Sequence, residues 1–288
     1  MAGPDSSRGN LILAQLFERS KQFGARGEIR RLPRLRSALL DILAEGRRKN
    51  IAHILVDADF TGIRERLKEH RLRTGESISV TSYIAKSFAT AIAADRRMQA
   101  YRLGRSRVVV FDDVDIAFMV ERESEGEMLP LFYIIRSAQR KSMQDIHSEL
   151  QLAKTKPLGT DGPLNALEWQ FALMPKFLRR LAWSFIHRNP YWFKAVAGTV
   201  GLTSFGMHTQ GAALGLPITP MSLTLTVGTI GTQLALCDGA VCEREILHMD
   251  ISLDHDVIDG APTMRFAARF KELLRSGVDE LECAASAP

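Results

Sequence analysis

The chain has 288 residues, 45% of them apolar, enough to bury a substantial core as one large domain or two small ones. Its formal charge is +5, and no Lys/Arg run is interleaved with aromatics in the manner of a nucleic-acid groove, so the excess suits small anions and excludes a nucleic-acid partner. Three cysteines are too few for a disulfide framework, and neither a secretory leader nor a bilayer-spanning run is read, so the expectation is a cytoplasmic protein with reduced cysteines.

Residues 1–26 are mostly small and polar, with an apolar patch at 11–17, and read as an N-terminal tail that packs on a neighbouring subunit; one domain runs over 27–288. Leu35, Leu39, Leu40, Ile42 and Leu43 recur at helical spacing and predict a helix over 32–47 that ends near Gly46. Residues 52–60 alternate Ile54, Val56 and Ala58 as a strand does, and Thr61 is the expected cap of a helix running through 67. The Ala-rich run 79–94, with Tyr83, Ile84, Phe88 and Ile92 on one face, predicts a core helix. Strands are expected at 108–111, 115–121 and 129–135, and a helix at 142–153 with Ser142 as its cap and Asp145 in its first turn.

Residues 163–197 hold all three tryptophans, Trp169, Trp183 and Trp192, among Lys176, Arg179, Arg180, Arg188 and Lys194. Aromatics and cations on an amphipathic helix fit an inter-subunit packing arm, then a lid over a ligand, and only third an interfacial membrane contact. A Gly-rich loop follows (Gly206, Gly211, Gly215), but no strand–turn–helix unit surrounds it, so it is no dinucleotide fingerprint. Residues 222–230 and 241–253 alternate strongly and are expected to pair around Asp238-Gly239, with Cys237 and Cys242 flanking the turn.

The second of those strands delivers Ser-Leu-Asp-His-Asp-Val-Ile-Asp-Gly at 252–260. An imidazole titrates near neutrality, so an oriented His255 can take a proton from a thiol or hydroxyl and return it. Asp259 followed by Gly260 is expected to let the chain turn sharply and to pin the loop through a buried carboxylate. Alone, this pattern fits an acidic surface loop equally well. His208 and His248 could approach His255 in space, but no Cys/His/Asp spacing suggests a metal site.

The run DHDVIDGAPTMRFAARFKELL, from Asp254 onward, resembles the C-terminal motif of the acyltransferase components of 2-oxo-acid dehydrogenase complexes. Gly198-Thr199-Val200-Gly201-Leu202-Thr203-Ser204-Phe205-Gly206 is similar to that family's second motif, with Thr203 in the hydroxyl position. Segments 51–53, 112–117 and 135–142 also look like the family, so the resemblance covers roughly residues 27–276.

The resemblance implies an α/β protein of the chloramphenicol-acetyltransferase-like fold, a mixed sheet flanked by helices. It implies a homotrimer or trimer-based cage with active sites between subunits. Its function would be acyl transfer between coenzyme A, a substrate here, and a dihydrolipoyl-type thiol. His255 would be the general base, Thr203 the oxyanion donor from the adjacent subunit and Asp259 the residue that holds the loop. Ser204, Gly206 and Gly260 would lie beside coenzyme A. No lipoyl domain or peripheral-subunit-binding segment is read in this chain, so a lipoyl domain is expected on another protein. Three departures stand out: Asp256 where Arg is common, Ser204 where Asn is common, and the long 163–197 stretch. Transfer to a small hydroxyl or amine acceptor and a non-catalytic oligomeric scaffold are the alternatives. The joint presence of His255, Thr203 and Asp259 speaks against the scaffold.

Overall fold

A computed structural model describes residues 32–124, 127–155, 174–204 and 213–276, so the expected tail at 1–26 lies outside the described residues. Eight strands and seven α-helices are described. In chain order they are α1 (Arg34–Gly46), β1 (Ile51–Asp59), α2 (Ile63–Thr74), α3 (Val80–Ala94), β2 (Ala100–Leu103), β3 (Arg107–Val110), β4 (Ile116–Ser124), β5 (Glu127–Ile135), α4 (Met143–Thr155), α5 (Lys176–Arg188), α6 (Pro190–Ala197), β6 (Val200–Ser204), β7 (Leu223–Cys237), β8 (Ala240–Asp254) and α7 (Gly260–Ser276). Six strands make one sheet in the order β1-β8-β7-β6-β4-β5. Strand β6 runs parallel to both neighbours, and the other pairs are antiparallel. The expected mixed sheet flanked by helices is therefore observed.

Strand periodicity explains the two faces. Leu247, Met249, Ile251 and Leu253 of β8 fall on one face with Leu223, Leu225 and Val227 of β7 and Val200 and Leu202 of β6, all in one core. Helices α3 and α7 close that core, where the Phe88 ring meets Phe266 and Phe270 at centroid distances of 6.0 and 5.7 Å. The intervening residues take the other face, which carries Thr203, Thr224, Thr226, Asp250 and Ser252 in neighbouring registers. A smaller cluster of Tyr101, Phe111, Ala117, Phe193 and Met221 lies apart from the main core and holds α6.

Local chemistry sets the element ends. Ser79 caps α3 through a reciprocal bond pattern with Ser82. Ser142 does the same for α4, accepting from the Asp145 main-chain N–H at 3.0 Å while Asp145 accepts from that of Ser142. The expectation at Thr61 fails: α2 starts after Gly62 and has no side-chain cap, because the Thr61 hydroxyl accepts from the Glu245 N–H instead. The strand β2 has no sequence prediction behind it; it pairs with β3 in a separate two-stranded sheet. Asp238 and Gly239 both adopt positive φ at the β7–β8 turn, as a two-residue hairpin requires. Cys237 and Cys242, diagonal across that turn with Cα atoms 5.8 Å apart, form a disulfide rather than the expected free thiols. No described helix is long and apolar enough to cross a membrane.

Candidate active site

His255 stands one residue past the end of β8, where pairing with β1 and β7 stops. Its main-chain N–H donates to Asn50 O at 2.9 Å. The N–H groups of Val257 and Ile258 both donate to Asp254 O at 3.0 Å, closing a tight turn whose apolar anchor, Ile258, is buried in the main core. The imidazole side is exposed. The turn is therefore rigid while its histidine faces outward, which suits a base that must reach a bound reactant.

Both flanking carboxylates are committed elsewhere. Buried Asp254 holds Lys49 Nζ at 2.6 Å. Asp256 accepts from Asn50 Nδ2 at 2.8 Å and lies 3.7 Å from Arg102. Among the described residues, neither carboxylate pairs with the imidazole. Lys49 also sits over the Tyr101 ring, 5.4 Å from its centroid. The Tyr101 hydroxyl donates to Thr199 O at 2.7 Å and accepts from the Ser222 N–H, and burial pushes its pKa well above the ordinary phenol value. One neutral phenol thus ties the base of β6 to the entry of β7 beside the histidine turn.

The buried carboxylate expected at Asp259 stands instead at Asp254. Asp259 is exposed, and its side chain makes no hydrogen bond among the described residues. Its main-chain oxygen does the capping, accepting from the Thr263 hydroxyl at 2.8 Å and the Thr263 N–H at 3.3 Å. Gly260 is the first residue of α7, has no positive φ, and a Cβ there would meet nothing within 4 Å. The sharp turn rests on the Asp254 acceptor and not on glycine freedom.

Thr203 reaches its place through a different framework. Gly198 has φ +80, and a Cβ there would lie 2.8 Å from Asp115 O, so the first motif glycine is required by both conformation and space. The buried Thr199 hydroxyl accepts from the Asp115 N–H at 3.0 Å and lies 2.8 Å from Gln99 Oε1. The Asp115 carboxylate accepts from Arg136 Nη1 and the Ser137 N–H, both at 2.9 Å. Segments far apart in sequence thereby converge on Asp115 and launch β6. Thr203 is buried, and its hydroxyl has no hydrogen bond among the described residues. Ser204 follows at the strand end, half-buried; Gly206 lies outside the described residues.

The structure does not bring Thr203 to His255 within one chain. Thr203 pairs with Thr226, which pairs with Asp250, and His255 is five residues further along β8. That is roughly 16 Å along the strand and about 10 Å across two strand spacings. Nor does His248 approach His255: it lies on β8 and bonds Asp57 at 2.7 Å; His208 lies outside the described residues. Sequence reasoning missed the cluster around Asp250, a fully buried carboxylate that takes His53 Nδ1 at 3.1 Å and the Ser252 hydroxyl. Its one signal was an aspartate set between the apolar Met249 and Ile251. No group of three or more metal-ligating side chains is found among the described residues.

A family profile described as "2-oxoacid dehydrogenases acyltransferase (catalytic domain)" matches residues 30–164 and 196–281, more than half of the chain. The lipoamide acyltransferase component of the branched-chain alpha-keto acid dehydrogenase complex of Bacillus subtilis (strain 168) is 23% identical over 235 residues, 80% of this chain and 47% of that protein. The chain thus spans about half the length of that curated relative. Among solved structures, the dihydrolipoamide acetyltransferase of Azotobacter vinelandii aligns with a TM-score of 0.64 at 19% identity, over 90% of this chain and 95% of the other. The cubic core of a pyruvate dehydrogenase multienzyme complex aligns with a TM-score of 0.63 at 18% identity, over 90% and 96%. These two share the fold, and with the profile match over both the Thr203 and His255 segments, the chain belongs to the 2-oxoacid dehydrogenase acyltransferase family, whose catalytic domain it carries.

Proposed function

We propose that the protein transfers an acyl group between coenzyme A and a dihydrolipoyl-type thiol, with His255 as general base. The observation that carries this reading is the state of the histidine turn: an outward-facing imidazole on a rigid loop, with Asp254 and Asp256 each engaged by other groups. His255 takes the thiol proton as the sulfur attacks the thioester carbon, and returns it to the departing thiolate as the tetrahedral intermediate collapses. Thr203, whose hydroxyl is not used among the described residues, donates to the oxyanion. The separation of the two within one chain favours a site shared by copies, with His255 from one and Thr203 from the next, in a trimer or a cage built of trimers. Asp259, exposed here, would act at that junction, with Ser204, Gly206 and Gly260 lining the approach of coenzyme A. The natural acceptor would be a lipoyl group carried by a partner domain.

Thioester exchange from acetyl-CoA to free dihydrolipoamide tests this. His255→Ala is expected to lower turnover ~10²–10⁴-fold, the usual worth of a general base, and Thr203→Ala on the order of 10²-fold. Turnover in His255→Ala equal to wild type would overturn the assignment of the base. Turnover with a hydroxyl or amine acceptor but none with the dithiol would move the protein to the small-acceptor reading.

A further inference from the structure

The residues skipped by the family match, 165–195, include all of α5 and most of α6, and these two helices leave large apolar side chains exposed on their outer side. On α5 the inward face carries Arg179, which pairs with buried Asp41 at 2.8 Å, and buried Trp183. Phe177, Leu181 and Phe185, spaced at i, i+4 and i+8, form one stripe and are 70, 69 and 62% exposed. Trp192 of α6, 54% exposed, extends the stripe through ring contact with Phe185 at 6.4 Å. A water-facing stripe of this kind needs an occupant, since soluble surfaces keep such clusters small.

Charge decides which occupant. Residues 174–204 contain Lys176, Arg179, Arg180, Arg188 and Lys194 and no Asp or Glu. Lys176, Arg180 and Arg188 are exposed and make no ion pair among the described residues. An apolar protein surface would satisfy the stripe and leave those cations uncompensated. A bilayer bearing anionic lipid satisfies both at once, taking aromatic and aliphatic side chains below the headgroups and cations among the phosphates. We propose that the α5–α6 pair is an interfacial anchor that seats the protein on an anionic membrane surface, with α5 lying in the plane and crossing nothing.

The test is co-sedimentation of the full chain with vesicles of phosphatidylcholine alone or with phosphatidylglycerol added, at low salt, with molar mass in solution measured alongside. Wild type is expected to bind the anionic vesicles on the order of 10²-fold more tightly, the worth of three cations near such a surface, and added salt is expected to weaken it. Because its side chains face water, the triple variant Phe177→Ser, Leu181→Ser, Phe185→Ser should fold, keep its mass and its thioester exchange, and bind at least ~10-fold more weakly. Arg180→Glu with Arg188→Glu keeps the stripe and should abolish the preference for phosphatidylglycerol. A wild type that ignores both vesicle types, or variants that bind as it does, would overturn the proposal. So would a fall in molar mass in the serine variant, which would assign the stripe to a second copy, or a loss of its exchange activity, which would make it a lid over the substrate.

Discussion

Lys49 and Asp254 join the loop after α1 to the last residue of β8, so one ion pair anchors the turn that holds His255. Both side chains are largely buried, and removing one partner strands a charge. Lys49→Met is expected to cost roughly 3 kcal/mol in urea unfolding, and adding Asp254→Asn should recover most of it; a single variant within about 0.5 kcal/mol of wild type would show the pair to be idle. At Gly198 the constraint is backbone: with φ +80 and Asp115 O in the space of a side chain, Gly198→Ala should destabilise by more than about 1 kcal/mol. The same change at Gly260, where space is open and φ ordinary, should be near neutral, and the two thermal midpoints compared directly check both claims.

At the scale of the element, α5 is held inward by a histidine that cannot easily charge. His187 lies between Trp183 and Phe193, with ring centroids at 5.4 and 5.0 Å. Burial first, then the nearby positive charges of Lys49 and Arg48, lower its pKa to about 4 from 6.5. Between those values the unfolded chain binds the proton and the folded one does not, so this contribution is complete above pH 6.5 and is lost as pH falls toward 4. The slope is at most about 1.4 kcal/mol per pH unit for one group. Urea unfolding across that range should show the loss in wild type, with His187→Phe flattening it; an unchanged slope in the variant would exclude His187 as the source. Element ends carried a further lesson. Ser142 and Asp145 cap α4 as their spacing predicts, whereas the Thr61 hydroxyl is drawn to Glu245 on another strand, a partner that no local pattern contains.

For the whole molecule, the separation of Thr203 from His255 makes assembly part of the proposed chemistry. His255→Ala and Thr203→Ala, each nearly inactive alone, should regain part of the wild-type exchange rate when refolded together, because some shared sites then contain both intact groups. Refolding either variant with itself should restore nothing. No recovery in mixed assemblies of confirmed composition would place both groups in the same copy and require a rearrangement of β6 against β8.

The sequence alone determined the period of β1, β4, β5, β7 and β8 and of α1, α3 and α4, the hairpin at Asp238-Gly239 and the two segments that carry the family, because turn chemistry, alternation and motif spacing are local properties of the chain. It also placed His255 at the end of a strand. What it could not contain were partners set by distance in space: Lys49 with Asp254, Asp115 with Arg136 and Thr199, Asp250 with His53. Asp254 and Asp259 are both acids beside one histidine, and only folding decides which is buried, since burial follows from what β1 and β7 pack against the end of β8. The outward stripe on α5 was likewise undecided until the fold buried Arg179 and Trp183: amphipathic spacing tells that a helix has two faces, and tertiary contacts choose which of them meets water.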